Sequence, residues 1–545
     1  MMKRTIVLLL IAVFLVVCLP QTAHADGTIS TAAEFASAAA AGGTYTLLND
    51  ITLTSSLTIG GDFTLVSAAI APALPPAVTL QAGIIVTGAF HQKYIGFIRA
   101  SSYTGALITV NAGAVFEMDD LAQIDGKSST TSLDSAVVVN SSGVFNFRSG
   151  LISNNNVNTN QNGGGVRVSG TMNMYGGTIS GCSACRGGGI AVVGGTLNMY
   201  GSPATATGLS STNIVSNTTK AYSGKGGHGG GVFVNGTFNM FGGYIGKNTC
   251  AADGGGVAVN TGTFQVFPGD YPAYILENAT ASGRYGGGVW TSTSPNSLFL
   301  VESKSNLIVR NNKAGYGGGA SINSSGSKIL SGTFSENTAT TMGGGIDIDQ
   351  GANLVIDGTG NSSGIATPGN ASPGSLLFYP AILNNTAPNG GGISIRYSNF
   401  TQTKSSLNIL GSALIQGNIA SSGNGGGIYA PYNAAVKIDG TDVVITGNKA
   451  SAQGGGVCVR GTNVLAMPSQ FTLVAGLIAG NTANSAGADV SSAQSNTTLS
   501  LIPATSMSHL ADFGFTVDGW YWDKTGARYA STADASKLEY VPNQS

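Results

Sequence analysis

The chain contains little charge for its length. Only 9% of its 545 residues are charged, against about 25% in an average globular protein, and the 24 basic and 25 acidic side chains nearly cancel. This balance excludes the basic surface that nucleic-acid binding requires. Because 42% of the residues are hydrophobic, the low charge also argues against a disordered chain or a coiled coil. We therefore expect a packed fold with no nucleic-acid partner.

Cysteine is also scarce, with five residues in the whole chain. That number is too small to staple a protein of this size, so packing has to stabilise the fold. Cys182 and Cys185 form a lone Cys-x-x-C, and the histidines are scattered. Zinc would need two more ligands nearby, so we assign no metal. The sequence leaves open whether Cys182, Cys185, Cys250 and Cys458 are thiols or form disulfides.

Long apolar runs are confined to the N-terminus. A basic pair at 3–4 precedes an apolar stretch over 5–19, and small residues lead to Ala25. This is the layout of a secretory signal, so we expect cleavage of 1–25 and a secreted or cell-surface protein, outer-membrane association included. The stretch is shorter than the ~20 apolar residues that span a bilayer. No later segment qualifies, so we expect no transmembrane segment after cleavage.

Glycine, by contrast, is abundant and follows a repeat. The chain has 82 Gly residues, and a Gly-Gly-Gly triplet followed by a hydrophobic residue recurs at spacings whose shortest values are 24 to 26. We interpret the longer spacings as the same unit with inserted loops. This density of Gly penalises a helix by about 1 kcal/mol per residue. The triplets start at Gly163, Gly187, Gly229, Gly254, Gly286, Gly317, Gly343, Gly390, Gly425 and Gly454.

The unit from Gly229 to Asp253 shows the repeat without insertions. Three short alternating segments are separated by Gly or Asn-Gly, which predicts three strands and three turns. Units of this kind stacked in register form a parallel β-helix, in which each strand pairs with its equivalent about 4.8 Å away in the next coil. We therefore predict an all-β fold, a single-stranded parallel β-helix, and parallel crossovers favour a right-handed coil.

The residues after each triplet predict an inner and an outer face. The third and fifth positions after the first Gly, such as Val166 with Val168 or Ile346 with Ile348, are almost all aliphatic. We expect these side chains to stack inside the coil. The alternate positions are mixed, and we expect them to face water; they include Arg167, Phe233, Trp290, Asp347, Tyr429 and Arg460.

A second signature is an Asn that lies five to eight residues before most triplets and three residues after a hydrophobic one. Asn amides stabilise turns and tolerate left-handed geometry, and stacked Asn side chains can hydrogen-bond in ladders. We predict that this Asn turns the chain and forms a ladder, and that the triplet supplies positive φ at the next corner. The set comprises Asn248, Asn278, Asn312, Asn337, Asn385, Asn418 and Asn448.

Together the two signatures resemble a known family. The segment Phe334 to Ile346, FSENTATTMGGGI, is similar to the paired Phe-x-x-Asn and Gly-Gly-hydrophobic motifs of bacterial polymorphic outer membrane proteins. This resemblance covers roughly 150–490 and implies a right-handed parallel β-helix and a surface adhesin. Upstream, a short helix over 32–39 and the alternating segment 43–68 resemble the capped first coils of pectin-lyase-like folds.

These features divide the chain into four parts. We predict a signal peptide over 1–25, an N-terminal cap with the first coils over 26–105, parallel β-helix repeats over 106–495, and a C-terminal tail or partial β module over 496–545. Within the tail, 514–530 resembles the closing half of small β repeats from bacterial surface proteins. The alternative is an aromatic hairpin that covers the last coil.

One outward strand face carries a candidate glycan-binding site. Asp347 and Asp349 are two residues apart, and the predicted register places Arg396 beside them, Tyr429 one coil further and Tyr397 just past its strand. Carboxylates, Arg and aromatic rings together suit the binding of a sugar. The simpler interpretation is a surface ion pair between Asp349 and Arg396, worth about 0–1 kcal/mol. We assign no catalytic residue, no metal and no cofactor.

The Gly227-His228-Gly229 segment resembles the Gly-His-Gly of polygalacturonases, but it lies in a Gly-rich corner, and we assign it no role. An insertion over about 358–380 is predicted to overhang the candidate site.

Three functions are consistent with these residues. The interpretation that we favour is an exported bacterial surface protein, a non-enzymatic adhesin or scaffold that binds an extracellular glycan or a surface protein of a host or neighbouring cell. The rival is a secreted polysaccharide lyase or glycoside hydrolase that acts on acidic polysaccharide, because parallel β-helices also carry such enzymes. The third is a structural component of the cell envelope or matrix.

Overall fold

The computed structural model is a parallel β-helix, as the repeat predicts. The three main strands of each coil pair in parallel with their equivalents in the coils before and after. A short fourth strand, Thr249–Cys250 in the unit that begins at Gly229, adds to the three that the sequence predicts. The structure describes residues 26–68, 76–127, 131–158, 160–203, 212–222, 225–359, 379–396, 403–460, 469–493, 497–500 and 537–538.

The first strand of each coil follows a glycine triplet or its equivalent. These strands are Leu57–Ile59, Ile84–Val86, Ile108–Val110, Val137–Val139, Val166–Val168, Ile190–Met199, Val232–Met240, Val257–Val259, Val289–Thr291, Ala320–Ile322, Ile346–Ile348, Ile393–Ile395, Ile428–Ala430, Val457–Arg460 and Val490–Ala493. Two of them, Ile190–Met199 and Val232–Met240, continue into the second strand of their coil.

The second strands begin upstream of the repeats and run the length of the rod. They are Gly27–Ile29, Gly43–Leu47, Asp62–Ser67, Ala89–Lys93, Val115–Asp119, Val144–Phe147, Thr171–Met174, Gly262–Val266, Ser297–Val301, Lys328–Ile329, Asn353–Asp357, Ser405–Gln416, Ala434–Thr446, Ser469–Ala479 and Thr497–Ser500. Three of these, Ser405–Gln416, Ala434–Thr446 and Ser469–Ala479, continue into the third strand.

The third strands form the remaining main side of the coil, and the strands named next are those that are not continuous with a second strand. They are Ile51–Leu53, Ala77–Leu80, Gly96–Arg99, Gln123–Asp125, Leu151–Ser153, Gly177–Ser180, Thr212–Val215, Gly243–Gly246, Ala273–Leu276, Leu307–Arg310, Thr333–Ser335 and Ala381–Leu383.

The fourth strands make a narrow sheet of their own. They are Thr131–Ser132, Asn156–Val157, Ser183–Ala184, Thr218–Thr219, Thr249–Cys250, Ala279–Thr280, Lys313–Tyr316, Thr338–Met342, Thr386–Ala387, Ile419–Ala420, Lys449–Ala450 and Thr482–Ala483. Ala221–Tyr222 and Lys225–Gly226 pair with each other in a small antiparallel ribbon.

The predicted inner face is confirmed. In-register pairing places Val166 beside Ile190 and Ile346 beside Ile393, so equivalent side chains stack along the rod. The aliphatic positions after every triplet, Val166 and Ile346 among them, are 0% exposed. The first glycine of each triplet has positive φ, for example 62° at Gly317, as predicted for this corner.

The predicted outer face is partly wrong. Phe233, Asp347 and Tyr429 are buried, and Arg167, Trp290 and Arg460 are only half-buried. For several of these strands the physical reason is that a residue just before a triplet lays its side chain over the outward face. Arg186 lies over the ring of Phe233, and His228 stacks on Trp290. We call the residues that stand just before the triplets the pre-triplet column.

A helix closes the N-terminal end of the rod, as predicted. Helix α1, Ala32–Ala41, begins with a capping box in which Thr31 and Glu34 each accept a backbone N–H of the other. Phe35 is fully buried, and its ring lies 5.8 Å from that of Phe63. The helix thereby covers the first interior rung, which would otherwise be an open end of the solenoid.

The Asn ladder is confirmed and is longer than predicted. The backbone N–H and the side-chain Nδ2 of Asn312 both donate to Oδ1 of Asn337, at 3.0 Å each, and Nδ2 also donates to the Ile275 carbonyl at 2.9 Å. The same bonds recur from Asn217 onward, and these Asn side chains are buried. The full ladder adds Asn217 and Asn481 to the seven predicted asparagines.

The left-handed residue at this corner is the one before the Asn, which corrects the predicted role of the Asn itself. Lys247, Glu277 and Glu336 have φ of 56°, 59° and 54°, although none is Gly. Such a conformation is uncommon for these residue types. The Asn that follows supplies the hydrogen bonds that hold the turn.

The C-terminal end of the ladder is closed by a carboxylate. Asn481 donates from its backbone N–H and from Nδ2 to Oδ1 of Asp489, at 3.0 and 2.8 Å. Asp489 stands where other units have the third glycine of the triplet. One coil later, Lys537–Leu538 pairs antiparallel with Val490–Ala493 and covers part of that strand's edge. The proposed module at 514–530 lies outside the described residues, and the domain boundaries stay predictions.

Replacing Asn312 by Ala should destabilise the protein strongly. The change leaves two donors of Asn278 without their acceptor, and each unsatisfied buried group costs about 1–3 kcal/mol. We expect a loss of about 3 kcal/mol in the free energy of unfolding, measured by chemical denaturation. Asn408→Ala is the matched control, because Asn408 makes one outer bond of 3.3 Å to Asn353. Equal losses in the two variants would contradict the role of the ladder.

Candidate functional site

The first strands of two consecutive coils hold the core of the candidate site. Asp347 is the outward residue of Ile346–Ile348, and its partner in the next coil is Ser394. Asp349 follows its strand directly, and Arg396 follows Ile393–Ile395 in the same way. Alternation along both strands therefore brings the predicted acidic pair and the predicted Arg to one place, as expected from the sequence.

Arg396 binds both carboxylates. Its Nε lies 2.9 Å from Asp347 Oδ1, and its Nη2 lies 2.6 Å from Asp347 Oδ2 and 2.8 Å from Asp349 Oδ2. Ser394 donates a hydroxyl hydrogen bond of 2.6 Å to Asp347 Oδ1. The predicted ion pair between Asp349 and Arg396 exists, but the paired, two-point contact is made with Asp347.

Two tyrosines that sequence reasoning missed cover the guanidinium. The Arg396 Cζ lies 4.2 Å from the centroid of the Tyr316 ring and 5.6 Å from that of Tyr285. The two rings stack on each other at 5.0 Å. Both belong to the pre-triplet column, since Tyr285 precedes Gly286 and Tyr316 precedes Gly317. The position just before a triplet is therefore the sequence signal from which these two tyrosines could have been identified.

Burial decides what this cluster can do. The side chains of Asp347 and Asp349 are 0% and 3% exposed, whereas that of Arg396 is 16% exposed. The predicted surface ion pair is thus a buried one, because Tyr316 and Arg396 close the outward face. Both carboxylates accept hydrogen bonds from Arg396, so the part of the cluster that reaches the surface is the guanidinium edge and the tyrosine rings.

The pKa shifts follow from this burial. Desolvation, together with the nearby charge of Asp347, raises the pKa of Asp349, and Arg396 and Gln350 only partly oppose the rise. Burial alone would lower the pKa of Arg396, but the two carboxylates raise it above its ordinary value. The guanidinium therefore stays charged, and it is the cation that compensates the two buried carboxylates.

Of the two predicted tyrosines, Tyr429 does not join this cluster. Tyr429 pairs with Ser394 one coil further along, where it is buried beside Cys458 and Arg460. Burial raises its pKa to about 12. Tyr397 and most of the predicted overhanging insertion lie outside the described residues.

A second polar cluster lies on the same flank, around a residue to which the sequence assigned no role. His228 Nδ1 is 3.4 Å from Asp253 Oδ2, and the imidazole stacks on Trp290 with ring centroids 5.1 Å apart. Burial lowers the pKa of His228 and raises that of Asp253. Both residues stand in the pre-triplet column, so this pair extends the same side-chain stack.

The cysteines of the repeats are buried thiols. Burial raises the pKa of Cys182 and of Cys458 to about 12 and raises that of Cys250 as well. A thiol with so high a pKa is a poor nucleophile near neutral pH. Cys182 has a structural place, because its backbone N–H donates to Asn217 Oδ1 at the position of the Asn ladder.

Comparison with known proteins gives no identification: the chain matches no family model, no curated protein and no solved structure.

Within the described ranges, no helix is both long and apolar enough to cross a membrane. The same ranges contain no group of His, Cys, Asp and Glu side chains that could hold a metal ion.

Replacing Arg396 by Ala should destabilise the protein in a pH-dependent way. The change leaves two buried carboxylates without their cation, and breaking a buried pair costs about 3–5 kcal/mol. Without the guanidinium the pKa of Asp349 rises further. A carboxyl whose pKa is higher in the folded than in the unfolded protein favours folding at low pH, and this contribution is lost as pH rises through the folded pKa.

The loss of stability should therefore be full at pH 7 and should shrink as the pH falls toward the unfolded pKa of about 3.9. Thermal unfolding between pH 4 and 8 measures it, with wild type at each pH as reference. Lys328→Ala is the control, because Lys328 is exposed and its loss removes one positive charge from the surface. A deficit that stays constant over this range would contradict the buried carboxylates as its source.

Proposed function

We propose that this protein is an exported bacterial surface protein that works as a rigid, non-enzymatic scaffold for binding extracellular glycan or a cell-surface partner. Export is supported by the three-part layout of 1–25, which lies outside the described residues. Rigidity is supported by the continuous register of the coils and by the Asn ladder along them.

The observation that carries the non-enzymatic part is the state of the acidic pair. Most glycoside hydrolases cleave with a carboxyl group that reaches the glycosidic bond, and the enzyme alternative would rely on the carboxylates of Asp347 and Asp349. Asp347 and Asp349 are buried and are bound by Arg396. This arrangement favours a structural role for the two acids over the lyase or hydrolase function.

The flank around Arg396 stays a proposed glycan contact, but with different contact groups from those that the sequence predicted. Its accessible groups are the guanidinium edge and the half-buried rings of Tyr285 and Tyr316. A guanidinium donates hydrogen bonds and an aromatic ring packs on apolar faces, so the pair suits a sugar without any use of the carboxylates.

The test is a panel of polysaccharides assayed for both binding and cleavage. Alginate, polygalacturonate, cellulose and chitin are incubated with the full protein, with and without Ca²⁺, and retention and product release are measured. We expect retention on at least one glycan without release of products. Turnover that Asp347→Asn abolishes would refute the proposal and favour the enzyme.

Two further outcomes are informative. Tyr316→Ala should weaken binding at the Arg396 flank, whereas Tyr274→Ala, on a third strand, should not. Self-association without any glycan or cell-surface binding would favour the structural envelope component instead.

A further inference from the structure

The outward face of the second strands repeats one pattern in four consecutive coils. Each strand presents Thr, then Asn or Gln, then an aromatic residue at alternate positions, while Met, Leu, Phe or Val point inward. In-register pairing aligns these residues into three columns along the rod. We call this surface the amide–aromatic face; it consists of Thr171, Asn173, Tyr175, Thr196, Asn198, Tyr200, Thr237, Asn239, Phe241, Thr263, Gln265 and Phe267.

The aromatic column is a continuous apolar strip at the surface. Successive rings from Tyr175 through Tyr200 and Phe241 to Phe267 have centroids 4.9, 5.0 and 4.9 Å apart and are nearly parallel. Tyr175 is 38% exposed, and the other three rings are half-buried. The guanidinium of Arg148 lies 5.1 Å from the Tyr175 centroid and covers the end of the strip.

The amide column runs beside the rings. Asn173 donates to Asn146, Asn198 to Asn173 and Asn239 to Asn198, at 3.0, 2.9 and 2.9 Å. Each of these bonds uses one N–H, and a primary amide has two. All these amides are half-buried, so the ladder fixes the side chains, and within the described residues the second N–H of Asn173, Asn198 and Asn239 has no bonded acceptor.

The face is neutral. None of its described side chains is acidic or basic, and charges occur only at its two ends. At one end Arg148 is paired with Glu117 at 2.9 Å, and at the other Glu302 accepts from Gln265 at 2.6 Å. A ligand that carries charge on every unit would find no counter-charge along the strip. A neutral ligand requires no counter-charge.

We propose that the amide–aromatic face binds an extended, neutral polysaccharide lying along the axis of the rod. The binding groups recur at one fixed spacing, so a ligand that also repeats along a line can use every coil. The apolar C–H faces of the sugars pack on the ring strip, and their hydroxyls pair with the amides and threonines. The inference rests on the proposed function, since it takes the ligand to be a glycan. It adds that the glycan is neutral and extended and that it binds on the amide–aromatic face.

Retention of the full protein on cellulose, chitin and an insoluble β-1,3-glucan tests this inference, with soluble alginate and polygalacturonate as the charged probes. We expect retention on a neutral polymer that is insensitive to salt. Tyr200→Ala removes one of the packed rings and should weaken apparent binding about tenfold. Because Tyr200 packs between two rings, Tyr175→Ala at the end of the strip serves as a second variant, which leaves the stack of Tyr200, Phe241 and Phe267 in place.

Tyr274→Ala is the matched control, since it removes the same ring, half-buried, from a third strand, where it packs on the cluster of Tyr244, Leu276 and Ile308. It should lose packing as Tyr200→Ala does but bind like wild type. Wild-type retention on neutral polymers that neither strip variant reduces would overturn the inference. So would binding to acidic glycans alone, or loss of binding in Tyr316→Ala but not in the strip variants; both leave the proposed function standing. Absence of all glycan and cell-surface binding would refute the two together.

Discussion

From Asn217 onward, the fold depends on satisfying the buried backbone at one sharp corner of each coil. After the third strand of these coils the chain passes through a left-handed residue, such as Glu277, and then buries an Asn. The backbone N–H of that Asn and one N–H of its amide both donate to the Asn of the next coil, as those of Asn278 do to Asn312. An unmatched corner would leave buried donors unsatisfied. Each coil therefore requires its neighbour in one register, and the stacking of the interior follows from that.

The glycine triplet and the Asn are two parts of this one device. A Cβ on the third glycine would lie 3.0 Å from the amide nitrogen of the Asn below it, both at Gly319 over Asn337 and at Gly345 over Asn385. The missing side chain thus makes room for the ladder. At the last rung a carboxylate takes that place, and Asp489 accepts the bonds that another Asn would otherwise receive. The ladder consequently ends with an acceptor that its final donors need.

Most of the fold could be predicted, because in a stacked repeat local periodicity fixes the register of Val166, Ile346 and their equivalents. The candidate site was predictable only in part. The sequence brought Asp347, Asp349 and Arg396 together correctly, yet it placed them in water. Their burial depends on Tyr316, which comes from an earlier coil. Alternation within a strand carries no information about which neighbouring corner folds over it. The covering side chains could therefore be identified only from the structure.

In-register stacking also determines what kind of surface this rod can offer. A side chain repeated in each coil becomes a column, and the columns on the two flanks differ in what they leave accessible. On the pre-triplet flank, polar groups such as Asp347 and Arg396 bind one another and are largely buried. On the second strands, the amides of Asn173 and Asn198 are held in place with only part of their hydrogen-bonding capacity used. The second strands therefore offer an external partner unused hydrogen-bonding groups, and these groups are aligned along the rod.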